Sequence, residues 1–319
     1  MSVSFLSPWA AAVGVAALLA VALLLSSERR SRRLCGLLGL APRPGWSLAL
    51  DAGALVAVGV LLGLAAAQPV VSDVRPIAGR TDAEAIAVFD ISRSMLARRE
   101  RSAPTRLDRA RALAKELRGG LPDVPVGVSS LTDRLLPHLF PTLSANAFAA
   151  TADRAVGIER PVPDRRAERA TALGALGDLG RQNFFGRTAR TRVALVFTDG
   201  ESVPFSLGEL RALLLGGRVA VYFVHTWDPD DRVYGSQGAP ERYRPDPRSR
   251  AVLDRVAIEI GGGVFTENEV GPALSALRRR LGEGPVAPRG RELQAVALAP
   301  YAVFGAALPL ALVLLRRNF

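Results

Sequence analysis

Cysteine, histidine, lysine and aromatic residues are scarce in this 319-residue sequence, and each scarcity excludes a class of protein. The single cysteine, Cys35, excludes an internal disulfide and a cluster of thiolate metal ligands. Both histidines, His138 and His225, lie on apolar stretches, so we expect them to be packed or hydrogen-bonded rather than to bind zinc or copper. The net charge is +11, but the arginines are scattered among acidic residues without interleaved aromatics, which argues against nucleic-acid binding.

Long apolar runs, by contrast, are present at three places: about 9–25, 47–67 and 295–315. Because about 20 helical residues cross a hydrocarbon core of about 30 Å, each run predicts a transmembrane helix. Asp51 lies near the edge of the second run, where a carboxylate can reach the lipid headgroups. Two alternatives stay open: the first run as a cleaved signal peptide, and cleavage after the second run, which ends in "LAAAQPV".

Arginine placement predicts the orientation of these helices. The predicted loop after the first helix is arginine-rich, whereas no arginine precedes Trp9; the loop carries Arg29, Arg30, Arg32, Arg33 and Arg43. The positive-inside rule therefore places this loop and the C-terminal tail in the cytoplasm and the block 68–294 outside. Four arginines flanking that block argue the other way, but long blocks count for less in the rule: Arg75, Arg80, Arg289 and Arg291.

The block 68–294 reads as an α/β domain with a doubly wound, mostly parallel sheet flanked by helices. Strands are predicted at 84–92, 192–200 and 219–228, with a weaker strand at 124–133 and a short antiparallel piece near "LPHLFP". Helices are predicted between them, at 105–117, 145–155, 173–179, 207–214, 250–260 and 273–281. Segments 160–169 and 228–248 read as irregular loops, which are usually solvated surface and sometimes determine binding specificity.

Oxygen-bearing side chains follow the predicted strands where those strands end. In "AVFDISRSM" a buried strand ends at Asp90, and Ser92 and Ser94 follow at alternate positions. Asp199 ends another strand in "VFTDGES", and Thr171 stands in "ERATALGAL", where a loop enters a helix. Parallel strands present their carboxyl ends at one sheet edge, where ligands bind, so we expect these five side chains to converge.

Two carboxylates and three hydroxyls form a hard oxygen donor set, which favours Mg²⁺ or Mn²⁺. Taken singly, each element is more typical of a helix cap or a tight turn than of a metal site. Their combination on one sheet favours a metal site. If the hydroxyls bind directly and the aspartates act largely through water, the ion keeps much of its charge. It would then accept one more carboxylate, supplied by a protein partner.

The pattern resembles the metal-ion-dependent adhesion site of von Willebrand factor A domains. That site combines D-x-S-x-S after the first strand with a later threonine and a later aspartate, which here are Asp90, Ser92, Ser94, Thr171 and Asp199. The whole chain, with "DISRSM", "PTRLDRARALAKEL" and a final apolar helix, is similar to the Bat-type membrane proteins of bacterial aerotolerance operons. Its "LGLAAAQPV" carries Gln68 where that family often has arginine, and segment 228–248 has no counterpart that we can match.

This resemblance implies metal-dependent protein–protein interaction and complex assembly in a bacterial cell membrane, not catalysis. It also implies association with other Bat-type membrane proteins and a MoxR-type AAA+ ATPase. Such an ATPase is cytoplasmic, whereas the arginines place the domain outside. A contact with it would therefore run through the arginine-rich loop or the helices.

Two other functions compete with a binding module. A metal-dependent phosphohydrolase with Asp90 as nucleophile needs a second carboxylate two residues later, where this chain has Ser92, and no lysine closely follows Asp199. We therefore predict no catalytic residues. The second alternative is the regulatory ectodomain of a membrane transport or channel assembly, because three helices alone are too few for a transporter.

Overall fold

The computed structural model describes residues 2–38, 44–162, 171–235 and 238–318. Arg43 and most of the predicted loop 160–169 therefore lie outside the described residues. The chain divides into two compact units, one of residues 1–75 with 291–319 and the other of residues 76–290. Nine strands and nine α-helices are found within the described ranges, with short 3₁₀ helices at Pro8–Val15, Arg93–Leu96 and Leu173–Gly177.

The strands are β1 (Ser2–Phe5), β2 (Pro69–Arg80), β3 (Ala83–Asp90), β4 (Val126–Leu131), β5 (Leu135–Thr142), β6 (Thr191–Thr198), β7 (Val219–His225), β8 (Gly263–Thr266) and β9 (Val286–Ala297). The helices are α1 (Ala16–Leu38), α2 (Gly45–Ala66), α3 (Arg106–Gly119), α4 (Ala145–Arg154), α5 (Asp178–Arg181), α6 (Leu207–Gly216), α7 (Ser249–Ile260), α8 (Val270–Leu281) and α9 (Ala299–Asn318).

Three helices among the described residues are long and apolar enough to cross a membrane: Pro8–Leu38, Gly45–Ala66 and Ala299–Arg316. Their bounds differ from the predicted ones. The first opens with a 3₁₀ turn and continues to Leu38, through arginines that we had assigned to a loop; an i,i+4 ion pair between Glu28 and Arg32 (3.2 Å) supports this extension. The third begins at Ala299 rather than 295, because β9 continues to Ala297.

Asp51, whose carboxylate the sequence places within reach of the headgroups, is paired with an arginine in the structure. The residue is 5% exposed, and its carboxylate accepts a hydrogen bond from Arg316 Nε at 3.1 Å. The same guanidinium donates to Ser47 Oγ at 2.8 Å and lies over the Trp46 ring. The acidic residue of α2 thus pairs with the arginine that ends the apolar part of α9.

A three-stranded sheet of order β1-β2-β9 was not predicted. Strand β1 runs antiparallel to β2, from Ser2 opposite Ser72 to Phe5 opposite Pro69. The prolines and charged residues of β2 and β9 conceal the alternation by which a strand is recognised in a sequence.

The central unit confirms the predicted fold class. Its six-stranded sheet has the order β5-β4-β3-β6-β7-β8; only β5 is antiparallel, as expected for the "LPHLFP" piece. Alternate residues of β3 point to two separate hydrophobic cores, Phe89 to one and Val88 to the other. The order reverses direction at β3 and β6, so the carboxyl ends of these two neighbouring strands frame a crevice at the sheet edge.

The helices of this unit follow the predicted pattern closely. Thr105 caps α3 in a reciprocal capping box with Asp108, and the predicted apolar face of the helix is buried: Leu107, Ala110, Ala114 and Leu117. Strand β8 was missed because it has four residues, too few for a recognisable pattern.

Candidate functional site

Asp90 is the last residue of β3 and the centre of the candidate site. Its side chain is fully buried, and its Oδ1 accepts a hydrogen bond from the backbone N–H of Ser92 at 2.9 Å. The Ser92 hydroxyl lies 3.0 Å from that of Ser94, at the start of the 3₁₀ helix Arg93–Leu96. The Ser92 backbone therefore folds back onto the Asp90 carboxylate, and the Ser94 hydroxyl lies beside that of Ser92.

Two threonines complete the surroundings of Asp90. Its Oδ2 accepts hydrogen bonds from Thr171 Oγ1 at 2.7 Å and from Thr198 Oγ1 at 2.6 Å. Two backbone hydrogen bonds hold Thr171 in place. The N–H of Ala172, its neighbour, donates to the Thr132 carbonyl, and the Thr171 carbonyl accepts from the Val203 N–H. Thr198 was not among the predicted residues; its hydroxyl also accepts from the Gly200 N–H at 3.1 Å, so it orients Asp90 and the following turn together.

Asp199 follows β6 directly and is also fully buried. Its Oδ1 accepts from the Glu201 N–H at 3.1 Å, which closes the turn after the strand. Gly200 in this turn has a φ of +78°, a conformation in which a side chain would be strained. The Asp199 Oδ2 accepts from Arg106 Nη1 at 2.8 Å.

Burial and charge set the protonation of this cluster. Desolvation, together with the negative charge of Asp199, raises the pKa of Asp90 to about 7. Hydrogen bonds from Thr198, Ser92 and Thr171 act in the opposite direction and lower this pKa, but they do not cancel the increase. All of the hydrogen-bond donors to Asp90 among the described residues are neutral groups. A buried carboxylate with only neutral partners is suited to a bound cation.

The donor set fits a hard divalent ion. Asp90, Ser92, Ser94, Thr171 and Asp199 all offer oxygen. Among the described residues, no group of three or more histidine, cysteine, aspartate or glutamate side chains is placed to hold a metal ion. The Thr171 hydroxyl donates its proton to Asp90 in a hydrogen bond, so the lone pairs of the Thr171 oxygen stay available to a metal. Ser94 is half-buried, whereas Asp90, Thr171 and Asp199 are fully buried.

Both histidines are hydrogen-bonded, as predicted. His225 Nε2 lies 3.0 Å from the Asp199 carbonyl oxygen and 3.1 Å from Ser249 Oγ, and burial lowers the pKa of His225 to about 4. His138 Nε2 lies 2.8 Å from Ser130 Oγ. His225 therefore stays neutral at physiological pH. Its ring supports the turn at Asp199 by its contact with the Asp199 carbonyl oxygen.

The described parts of segment 228–248, residues 228–235 and 238–248, pack beside the site rather than forming plain solvated surface. Asp231 is fully buried and accepts hydrogen bonds from Arg106 Nε and Arg109 Nη2, both at 2.9 Å. Tyr243 donates its hydroxyl proton to Glu201 Oε1 at 2.6 Å and accepts from Arg106 Nη1 at 2.8 Å. The segment is therefore fixed by the residues that surround Asp199.

Charge pairs also join this segment to the serine loop. Arg93, which stands between the two site serines, donates to Glu241 Oε1 at 2.5 Å, and Arg99 pairs with Asp228. Arg98 and Arg232 exchange backbone hydrogen bonds at 3.0 and 2.9 Å. We call the described residues 228–235 and 238–248 the strap, because these contacts fasten them to the loop that carries Ser92 and Ser94.

The pKa of Asp90 gives a testable pH dependence for the metal-free protein. Because the folded state holds this proton more tightly than the unfolded state does, the contribution of Asp90 to stability is full below about pH 4 and is lost as the pH rises through about 7. Asp90→Asn stays neutral throughout. In the presence of a chelator, we expect the melting temperature of the variant, relative to that of the native chain, to rise by several degrees between pH 5 and pH 8. A constant difference between the two chains would contradict this assignment.

Comparisons with known proteins agree with the observed fold. An aerotolerance-related membrane protein from Bacteroides fragilis NCTC 9343, crystallised with multiple mutations to serines, matches 62% of this chain and 98% of its own at a TM-score of 0.50 and 20% identity. The conserved hypothetical protein BatB from Bacteroides thetaiotaomicron matches the same shares at a TM-score of 0.50 and 19% identity. A von Willebrand factor type A protein from Catenulispora acidiphila matches at a TM-score of 0.41 and 15% identity, covering 65% of this chain and 48% of its own.

The first two similarities confirm the fold that the resemblance implied. No protein-family model matches the chain, and no curated protein sequence matches it. At 20% and 19% identity, these two similarities show the fold alone.

Proposed function

We propose that this chain is a membrane-anchored binding protein whose central domain holds Mg²⁺ or Mn²⁺ and uses it to bind an acidic residue of a protein partner. The observation that carries the proposal is the convergence of Asp90, Ser92, Thr171 and Asp199 at one sheet edge, with Ser94 beside them. Asp90 in this cluster is buried with neutral donors alone, which favours a cation there over a purely structural role.

The hydroxyl and carboxylate side chains would have different roles in such a site. Ser92, Ser94 and Thr171 offer neutral oxygens, and Asp90 and Asp199 supply negative charge. Thr198 and the Ser92 N–H hold the Asp90 carboxylate in one orientation through hydrogen bonds of 2.6 and 2.9 Å. A bound cation would supply the positive charge that attracts a partner's carboxylate. Half-buried Ser94 lies on the side from which a partner would approach.

A binding role suits these residues better than catalysis. Ser92 stands where a phosphohydrolase of the aspartyl-phosphate type needs its acid–base carboxylate. We therefore propose a non-enzymatic interaction module.

We further propose that the chain crosses a bacterial cell membrane three times, with the central domain outside. Arginines 29, 30, 32 and 33 lie in the last part of the first helix, after its apolar stretch, and Arg316 ends the apolar part of the third. The positive-inside rule assigns both of these ends to the cytoplasm. Other Bat-type membrane proteins fit as partners on the outer face. A MoxR-type ATPase would reach only the cytoplasmic ends of the helices.

Metal-dependent capture of a partner tests the proposed function. Tagged chain in detergent should retain a protein from the membrane fraction of its host in Mg²⁺ and release it in EDTA. Asp90→Asn should retain nothing in either buffer. Asp153→Asn, the same substitution on exposed α4, should behave like the native chain. If Asp90→Asn and Asp153→Asn retained the partner equally, or if EDTA did not release it, metal-dependent binding would be contradicted.

A further inference from the structure

Arg106 is a fully buried cation beside the candidate metal site, and nothing in the adhesion-site pattern accounts for it. Its side chain is 0% exposed, and so are the carboxylates of Asp199 and Asp231, which it bridges. Nη1 donates to Asp199 at 2.8 Å, and Nε donates to Asp231 at 2.9 Å. The guanidinium therefore connects a proposed metal-site residue to the strap.

The pairing of Arg106 with Asp231 is incomplete. Arg106 Nη2 and Asp231 Oδ1 are both buried and have no hydrogen-bond partner among the described residues. Nε and Nη2 form one edge of the guanidinium, and a carboxylate that meets this edge squarely accepts two parallel hydrogen bonds. Only the first of these bonds, from Nε, is made. The second partner of Arg106, Asp199, engages the opposite nitrogen, Nη1.

We propose that Arg106 is a positioning residue that competes with the metal ion for Asp199 and thereby couples metal loading to the strap. When Asp199 contributes its charge to a bound divalent ion, its hydrogen bond to Arg106 would weaken. The guanidinium would then turn toward Asp231 and complete the two-bond pair. This inference depends on the metal site of the proposed function.

The contacts of Asp231 carry the effect into the strap. Its Oδ2 is shared between Arg106 and Arg109, and Arg109 in turn pairs with Glu267 at 2.8 Å. The hydroxyl of Tyr243, on the same segment, accepts from the Nη1 that binds Asp199. A shift of Arg106 toward Asp231 would therefore change the contacts of both Asp231 and Tyr243, two residues that hold the strap in place.

The competition predicts shifts of opposite sign in metal affinity. Arg106→Met removes a positive charge from the site at similar side-chain length, so Mn²⁺ should bind at least about tenfold more tightly. Asp231→Asn removes the carboxylate that competes with Asp199 for Arg106. Arg106 then pairs more strongly with Asp199, so Mn²⁺ should bind about tenfold more weakly. Arg211→Met, on exposed α6, is the matched control and should leave the affinity unchanged.

Calorimetric titration of Mn²⁺ into the detergent-solubilised full chain measures these shifts. Opposite shifts support the competition, whereas unchanged affinities, or shifts in one direction, overturn it while leaving the metal site intact. No binding by the native chain overturns both the inference and the proposed function. Should Arg106→Met fail to fold, Asp231→Asn decides alone, and an unchanged or tighter affinity overturns the inference.

Hydrogen exchange of the strap gives a readout that a merely structural arginine would not change. In the native chain and in Arg211→Met, saturating Mn²⁺ should change the exchange rates of amides within 228–248. In Arg106→Met the same amides should exchange alike with and without Mn²⁺. A metal response that survives in Arg106→Met would overturn the coupling.

Discussion

Asp90→Asn is expected to lower the affinity of the chain for Mn²⁺ by about a hundredfold or more. The substitution keeps the size of the side chain but removes the negative charge at the centre of the cluster, where Thr171, Thr198 and the Ser92 N–H converge. A neutral amide offers one oxygen in place of two and cannot offset the charge of a divalent ion. Calorimetric titration of the detergent-solubilised full chain measures the loss.

Two controls separate this effect from unfolding. Asp153→Asn, at an exposed position where Asp153 pairs with Lys115 at 3.0 Å, should bind Mn²⁺ as the native chain does. Asp90→Asn should also melt no earlier than the native chain at pH 8 in chelator, because it no longer buries a charge. Equal heats from Asp90→Asn and the native chain would rule out Asp90 as the centre of a metal site.

An all-or-none labelling pattern is expected from the proposed orientation. Cys35, the single cysteine, lies half-buried near the end of α1, on the proposed cytoplasmic side. A membrane-impermeant maleimide should therefore label the native chain only after the cells are permeabilised. The variant Cys35→Ser with Asp153→Cys carries its thiol on the central domain and should be labelled in intact spheroplasts.

The two thiols are reciprocal controls for each other, because each reports one side of the membrane. In the reversed pattern, Cys35 of the native chain would be labelled in intact spheroplasts, and the thiol introduced by Asp153→Cys only after permeabilisation. That pattern would place the central domain in the cytoplasm. A MoxR-type ATPase could then reach the metal site directly.

The parts of the site that lie at strand ends were predictable from the sequence. Asp90 and Asp199 each follow a continuous apolar run, and sheet topology brings the ends of such runs to one edge. The alternate spacing of Ser92 and Ser94 pointed back to the same place, and Thr171 was found because a loop there enters a helix. The structure brings Asp90, Thr171 and Ser92 into hydrogen-bond contact, while their role as metal ligands stays a prediction.

Arg106 could not be found in this way. It is the first residue of a helix with a polar capping box, where an arginine normally extends into solvent. Its burial depends on Asp199, 93 positions away, and on Asp231, 125 positions away in a segment without regular structure. Only the three-dimensional structure joins three charges that are so widely separated in the chain.

Thr198 and the strap were missed for different reasons. Thr198 reads as one more β-branched residue at the end of a buried strand, and its hydroxyl gives no sequence signal until its contact with Asp90 is known. The strap reads as solvated because it is rich in proline and charge. Its charges are instead used internally, in the pairs of Asp231 with Arg106 and Glu241 with Arg93.

Anomalous diffraction from crystals grown with Mn²⁺ would locate a metal ion bound to the chain. We expect one manganese peak bounded by the hydroxyls of Ser92, Ser94 and Thr171, with Asp90 and Asp199 adjacent. A chain that binds manganese elsewhere, with these five side chains contacting only one another, would contradict the proposed site.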